Sequence, residues 1–370
     1  MSRVGLAQLP LHPGRCPPWL FREMKHLGAA ISKLIVQEYG KEEFLRRISD
    51  PFFFQAFGCT LGFDWHSSGL TTTVCGALKE AIRPDEFGIA VCGGKGRVSR
   101  RTQDEIQDLA NVFSLSSHQV ESLKYASRMA AKVDNSCVQD GYQLYHHVFI
   151  LSEEGDWAVV QQGMQERLAR RYHWLSDSVG SFVEEPHSGI ASDRGGQSVL
   201  DMTARDSEES RKVSLDLVRD NPDHLRGLTQ EAGQALMDQY LPDYERMLTL
   251  IMPTQHSIVG MSETTIKALR RAYEFQPSNY EELVAIRGIG PKAIRALALV
   301  SELVYGTTPS WKDPARYSFA HGGKDGIPYP VDRRTYHKTI EIIENATQRA
   351  SVEPNEKTKA LKRLHELIKE

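Results

Sequence analysis

Residues 142–164, "YQLYHHVFILSEEGDWAVVQQGM", decide the fold class. Two runs rich in Val, Ile, Tyr, Phe and Trp flank the polar turn "SEEGD", the pattern of an antiparallel hairpin. A third β-rich run, "LARRYHWL" (168–175), follows closely. Around this region the chain reads as helix. "PPWLFREMKHLGAAISKLIVQEYG" (17–40) places Leu20, Met24, Leu27, Ile31, Leu34 and Ile35 on one stripe, with Gly40 as its stop. "GKEEFLRRISDP" predicts a second helix ending before Pro51, and "SSHQVESLKYASRMAAKV" another that Ser117 can cap. "FGIAVCGGKGRVSRRTQDEIQDLANVF" reads as strand, glycine loop and helix, with Thr102 and Glu105 as a capping box. The expected class is α/β (α+β), mostly helical.

Three segments are expected: a mixed domain over 1–175, a polar arm or linker over 176–224, and a helical domain over 225–370. The arm rests on a run rich in Ser, Asp and Gly and poor in aromatics. "FFFQAFGCTLGFDWHSSGLTTTVCGALKEAI" (52–82) mixes aromatics, glycines and hydroxyls and suits a buried, functional turn region.

Composition narrows the function classes. The 370 residues are 40% hydrophobic and 25% charged, ordinary for a soluble globular chain. No run of about 18 apolar residues predicts a membrane span, and the N-terminus has no apolar core of signal-peptide type. The five cysteines, Cys16, Cys59, Cys75, Cys92 and Cys137, are scattered without a CxxC pair. That argues against a zinc ribbon or disulfide framework and for a reduced, cytoplasmic setting. Net charge is −3, yet from Arg287 onward 15 Lys and Arg stand against 10 Asp and Glu. A mildly basic C-terminal part fits a phosphate-binding module.

"LVAIRGIGPKAIRALAL" (283–299) sharpens that expectation. Ser278 and Glu281 match a capping box, so a helix should run from Asn279 to about Arg287. Gly288 and Gly290 permit a tight, bare turn around Ile289, and Pro291 suits the first position of the next helix. Backbone N–H groups and a helix N-terminus then converge on one spot, a geometry that holds a phosphate without reading sequence. Lys292 and Arg295 add positive charge. The stretch resembles the helix-hairpin-helix of DNA repair proteins. Bifunctional DNA glycosylases of that kind carry a lysine just after the hairpin, assisted by a downstream Asp, here Lys292 and Asp332. Phosphate contact is the plainer role for Lys292.

Several further strings stand in order along the chain: "LPLHPGRCPPWLF", "SDPFFFQAFGCTLGFDWHSSGLTTT", "GGKG", "VDNSCVQDGYQLYHH", "WAVVQQGMQ" and "HGGKDGIPYPVDR". Together they resemble a whole-chain family of archaea and bacteria catalogued as domain of unknown function 763. The resemblance implies abasic-site lyase activity on double-stranded DNA, without metal or cofactor. Such a lyase needs an amine with a lowered pKa, a base, and cations for the leaving phosphate. Four lysines are candidates for the amine. Lys95 lies in a glycine loop beside the cationic Arg97, Arg100 and Arg101. Lys132 ends a helix near Asp134. Lys292 lies in the turn, and Lys324 in "HGGKDG" near His321 and Asp325. His66 and Asp134 complete the catalytic candidates; Arg97 and Arg100 join the DNA-binding set.

Two other classes stay open. A metal-dependent nuclease would gather Asp64, His66, Asp134, Asp140 and one of His146 and His147, although no HExxH, DxD or HxH spacing is present. A non-enzymatic DNA-binding protein would use the turn alone. Tyr172 and Trp174 read as core aromatics, and a homodimer is left open.

Overall fold

A computed structural model of the chain describes residues 16, 18–62, 69–165, 168–192, 198–220 and 262–315. The fold is mixed α/β and mostly helical. Helices α1 (Pro18–Tyr39), α2 (Lys41–Ile48), α3 (Pro51–Thr60), α4 (Gly69–Ala81) and the short α5 (Pro84–Phe87) lead into strand β1 (Ile89–Lys95). A 3-10 turn (Gly96–Arg101), α6 (Thr102–Val112) and α7 (Ser117–Ser136) follow. Next come β2 (Val138–Gln139), β3 (Gln143–Ser152), β4 (Trp157–Gln165), β5 (Leu168–Leu175), β6 (His187–Ser192) and β7 (Leu200–Asp201). The last described elements are α8 (Glu208–Arg219), α9 (Glu263–Phe275), α10 (Tyr280–Ala285) and α11 (Pro291–Tyr305).

Five strands form one antiparallel sheet in the order β1-β3-β4-β5-β6; β2 and β7 form a second, two-stranded pair. The hairpin at Ser152–Asp156 is where the alternation placed it. Helices cover both sheet faces. On one face Val148, Ile150, Ala158 and Val160 pack against α1 to α4. On the other, Phe149, Val159 and Trp174 pack with α6 to α11. Among the described residues no helix is long and apolar enough to cross a membrane, and all five cysteines are free thiols.

The 52–82 region is largely two helices rather than an irregular turn. Asp50 accepts from Phe52 N and Phe53 N, and Pro51 occupies the first turn of α3. Gly58 is needed there because a Cβ would lie 2.6 Å from Leu70 Cγ of α4. Residues 63–68 between these helices, Asp64 and His66 among them, lie outside the described set.

The supposed arm contributes structure too. β6 is the sheet's edge strand and α8 packs on α9, α10 and α11. Its polar look has a local cause. Ser210 and Ser214 are buried, Ser214 donates back to Ser210 O at 2.6 Å, and its hydroxyl meets that of Ser301 on α11. Small hydroxyl residues form a close helix seam there. The core on that side runs from Ala90 to Val300, so the divisions drawn at 175 and 224 do not separate two cores.

Candidate functional site

A groove of about 460 Å³ opens where the 3-10 turn, the start of α6, the second half of α7 and the start of β3 meet. Arg100, Gln103, Ser127, Arg128, Lys132 and His147 are among its lining residues. Residues 127, 128, 131, 132 and 135 share the α7 face by helical spacing. The register of β3 shifts between Leu144 and His146, at the groove's floor. Gly93 lets β1 bend against this floor. Its φ is +89°, and a Cβ there would collide with His147 O. Beyond it Lys95 stands exposed, its Nζ 5.7 Å from the Tyr145 ring centroid.

Lys132 is partly buried on the groove wall. Its Nζ donates to Ile286 O at 2.5 Å. Desolvation pushes the amine down to about 8; Arg128 acts in the same direction and Cys137 against it. Asp134, two residues on, turns inward instead of pairing with it. Its carboxylate accepts from Trp174 Nε1 at 3.0 Å, from Gln161 Nε2, and lies 2.5 Å from His187 Nε2.

From Asp134 a chain of hydrogen bonds returns to the groove. Gln161 Nε2 also donates to Ala130 O at 3.0 Å, which fixes the amide orientation and leaves Gln161 Oε1 as acceptor. His147 Nδ1 lies 2.7 Å from that oxygen and must carry the proton. Burial pulls the His147 pKa down, with Gln161 and Asp134 opposing, so the ring is neutral and Nε2 is an acceptor. The group that meets Nε2, at 2.9 Å, is the Ser127 hydroxyl. Gln103 Nε2 donates to the same Ser127 oxygen at 3.1 Å.

The glycine turn between α10 and α11 lies against this wall of α7. Besides the Lys132 bond, Tyr125 Oη donates to Glu281 Oε1 at 2.8 Å and Gln139 Nε2 to Pro291 O at 2.8 Å. The cap of α10 sits one residue later than expected: Asn279 accepts from Glu282 N, and Glu282 accepts from Ser278 N. Gly288 has φ +102°, and a Cβ there would meet Ala268 of α9 at 3.2 Å. Gly290 is extended, and a Cβ added to it would meet nothing within 4 Å, so its bareness is open space rather than backbone need.

A family model described as Protein of unknown function (DUF763) matches residues 5–331. The chain belongs to the DUF763 family. The match takes in the sheet, the groove and the glycine turn together. No curated protein matches the chain, and no solved structure does.

In this DUF763 chain the expected site residues scatter. Lys132 and Arg100 line the groove, Lys95 and Arg97 are exposed beyond it, and Asp134 lies beneath it. Gly288 and Lys292 are exposed on the turn, while Ile289 is buried. Arg295, expected at the DNA surface, is buried. It donates to Gln139 Oε1 at 3.2 Å and stands 5.8 Å from the Trp311 ring. His66, His321, Lys324, Asp325 and Asp332 lie outside the described residues. Of the nuclease set, Asp140 accepts from Arg170 at 3.0 Å and Tyr172 at 2.6 Å. Among the described residues no group of three or more His, Cys, Asp or Glu is placed to hold a metal ion. Ser127, Arg128 and Ile286 escaped the sequence reading. The helical spacing of 127, 128 and 132 was the available signal for the first two; a backbone carbonyl has none.

Proposed function

We propose that this protein is a DNA lyase that opens the strand at abasic sites through an imine on Lys132. One observation carries the reading: a lysine amine held near 8 by burial, in a groove walled by arginines, beside a glycine turn. A neutral amine at working pH is what attack on the open sugar's aldehyde requires. Arg100 and Arg128 line the same groove, and on this reading they take the phosphates next to the reacting sugar. The turn then acts as a helix-hairpin-helix, with Gly288, Gly290, Lys292 and the N-terminus of α11 on the backbone. Its tie to Lys132 sets the held strand beside the amine.

The reaction balances without oxidant or reductant. Lys132 Nζ adds to C1′ and the aldehyde oxygen leaves as water, giving an iminium ion. Loss of the C2′ proton and cleavage of the C3′–O bond expel the phosphate. Water then releases the unsaturated sugar and restores the amine.

The test is borohydride trapping on a duplex with one abasic site, in EDTA. The wild type should form a covalent adduct and Lys132→Ala should not, while Lys95→Ala and Lys292→Ala retain it. Loss of the adduct in Lys324→Ala alone would move the amine to that residue. Metal-dependent cleavage without an adduct would replace the lyase by a nuclease, and binding without turnover would leave a DNA-binding protein.

A further inference from the structure

Resting on the lyase reading, we infer that Ser127 and His147 form the proton relay of the same site, held in register by Gln161 and Asp134. Elimination needs a group that accepts the C2′ proton, and the amine committed to the iminium cannot serve.

The geometry supplies a directed path. Asp134 orders the Gln161 amide, the amide oxygen holds the proton on His147 Nδ1, and the bare Nε2 meets the Ser127 hydroxyl. Each donor and acceptor role along this chain is fixed by the one before it. Among the described residues the acceptor for the Ser127 proton is His147 Nε2. Gln103 donates to the same oxygen and stabilises negative charge as it develops there. The chain ends on the groove wall that also carries Lys132, one helical turn and a residue further along α7.

In the step itself, Ser127 Oγ takes the C2′ proton as its own proton passes to His147 Nε2. The C2′–H electron pair becomes the new carbon–carbon double bond, with the iminium as electron sink. The C3′–O bond breaks and the phosphate leaves with its pair. The imidazolium then returns its proton to Ser127, and Ser127 releases one to water. Arg128 and Arg100 face the groove from α7 and the 3-10 turn, and burial favours an uncharged His147 between turnovers, with Gln161 and Asp134 opposing it.

Imine formation and elimination are separable, and the test uses that. The full-length protein is mixed with abasic duplex in a single turnover, and borohydride adduct and strand cleavage are followed in parallel. Ser127→Ala and His147→Asn should trap adduct at nearly the wild-type rate but cleave about 10²-fold slower or worse. Ser127→Thr, which keeps the hydroxyl, should recover cleavage. In the wild type the elimination step should show a solvent deuterium isotope effect, because the Ser127 proton is exchangeable. Cleavage at the wild-type rate in both variants, or no solvent effect on wild-type elimination, would overturn the relay and leave the lyase standing. If the variants lose trapping and cleavage together, the wild-type isotope effect decides. No adduct from the wild type would bring down the lyase and the relay with it.

Discussion

Three adjacent strands each carry a polar doublet: His146–His147, Gln161–Gln162 and Arg170–Arg171. The pleat sends one member to each face of the sheet. Register aligns His146 with Gln162 and Gln162 with Arg171, so these three form a row on the α1–α4 side. His147, Gln161 and Tyr172 form the opposite row, on the α7 side. The two rows are built differently. On the α7 side the bonds run unbroken from Asp134 to Ser127. On the other, Arg171 is held by Gln55 at 3.0 Å, Thr71 at 3.2 Å and His173 at 2.8 Å, and burial draws its pKa down to about 9. Yet His146 is buried with no partner on either ring nitrogen among the described residues, and its pKa falls to about 3 by burial first, then by His147 and Lys95. The same His–Gln pairing on the two faces of a sheet thus yields a closed network on one side and, among the described residues, an unmatched imidazole on the other. The groove and Lys132 lie on the closed side.

The largest effect expected from this contrast is on Asp134. Asp134→Ala removes the acceptor shared by Gln161, Trp174 and His187 and should cost about 3–5 kcal/mol in denaturant unfolding. A loss below about 1 kcal/mol would show that the row is not the network the distances describe. Next in size is the turn. Gly288→Ala forces a side chain into a left-handed conformation against Ala268 and should lose about 1–3 kcal/mol. Gly290→Ala should leave stability unchanged while weakening DNA binding, since its Cβ enters only the open space. Equal loss of stability in both would remove the distinction between a structural and a ligand-facing glycine.

Acidity tests the groove itself. Only the unprotonated Lys132 amine attacks, and its pKa is about 8. Adduct formation should therefore fall about tenfold for each pH unit below 8 and level off above it. A rate still climbing tenfold per unit between pH 9 and 10 would mean that the reacting lysine is an ordinary, solvated one.

The sequence exposed the repeating features and hid the pairings. Periodicity placed α1, the β3–β4 hairpin and the helices around the glycine turn because each follows from neighbours along the chain. Caps slipped by one residue, to Ser116 before α7 and Asn279 before α10, since adjacent hydroxyl and amide residues offer the same chemistry. At α6 the expected capping box is absent because Glu105 binds Lys79 Nζ and Gly93 N, both at 2.7 Å. A partly buried ion pair outweighs a cap there. The Ser127–His147–Gln161–Asp134 chain joins residues 14 to 27 positions apart, so only strand register and the docking of α7 reveal it.

The smallest effect carries the sharpest contrast between the two rows. His146 and His147 are successive residues, both buried, so composition alone assigns them the same value. His147→Leu leaves the Ser127 hydroxyl proton without its acceptor and Gln161 Oε1 without its donor, and should cost about 1–3 kcal/mol, the usual toll of unsatisfied buried groups. His146→Leu strands nothing among the described residues, and it replaces two unmatched nitrogens by hydrocarbon next to Gln162 and Val148. Its expected change is about zero, or slightly stabilising. Chemical unfolding of the two variants side by side measures the difference. A cost for His146→Leu equal to that of His147→Leu would mean that water or a ligand completes the first row, and the two faces would then be equals.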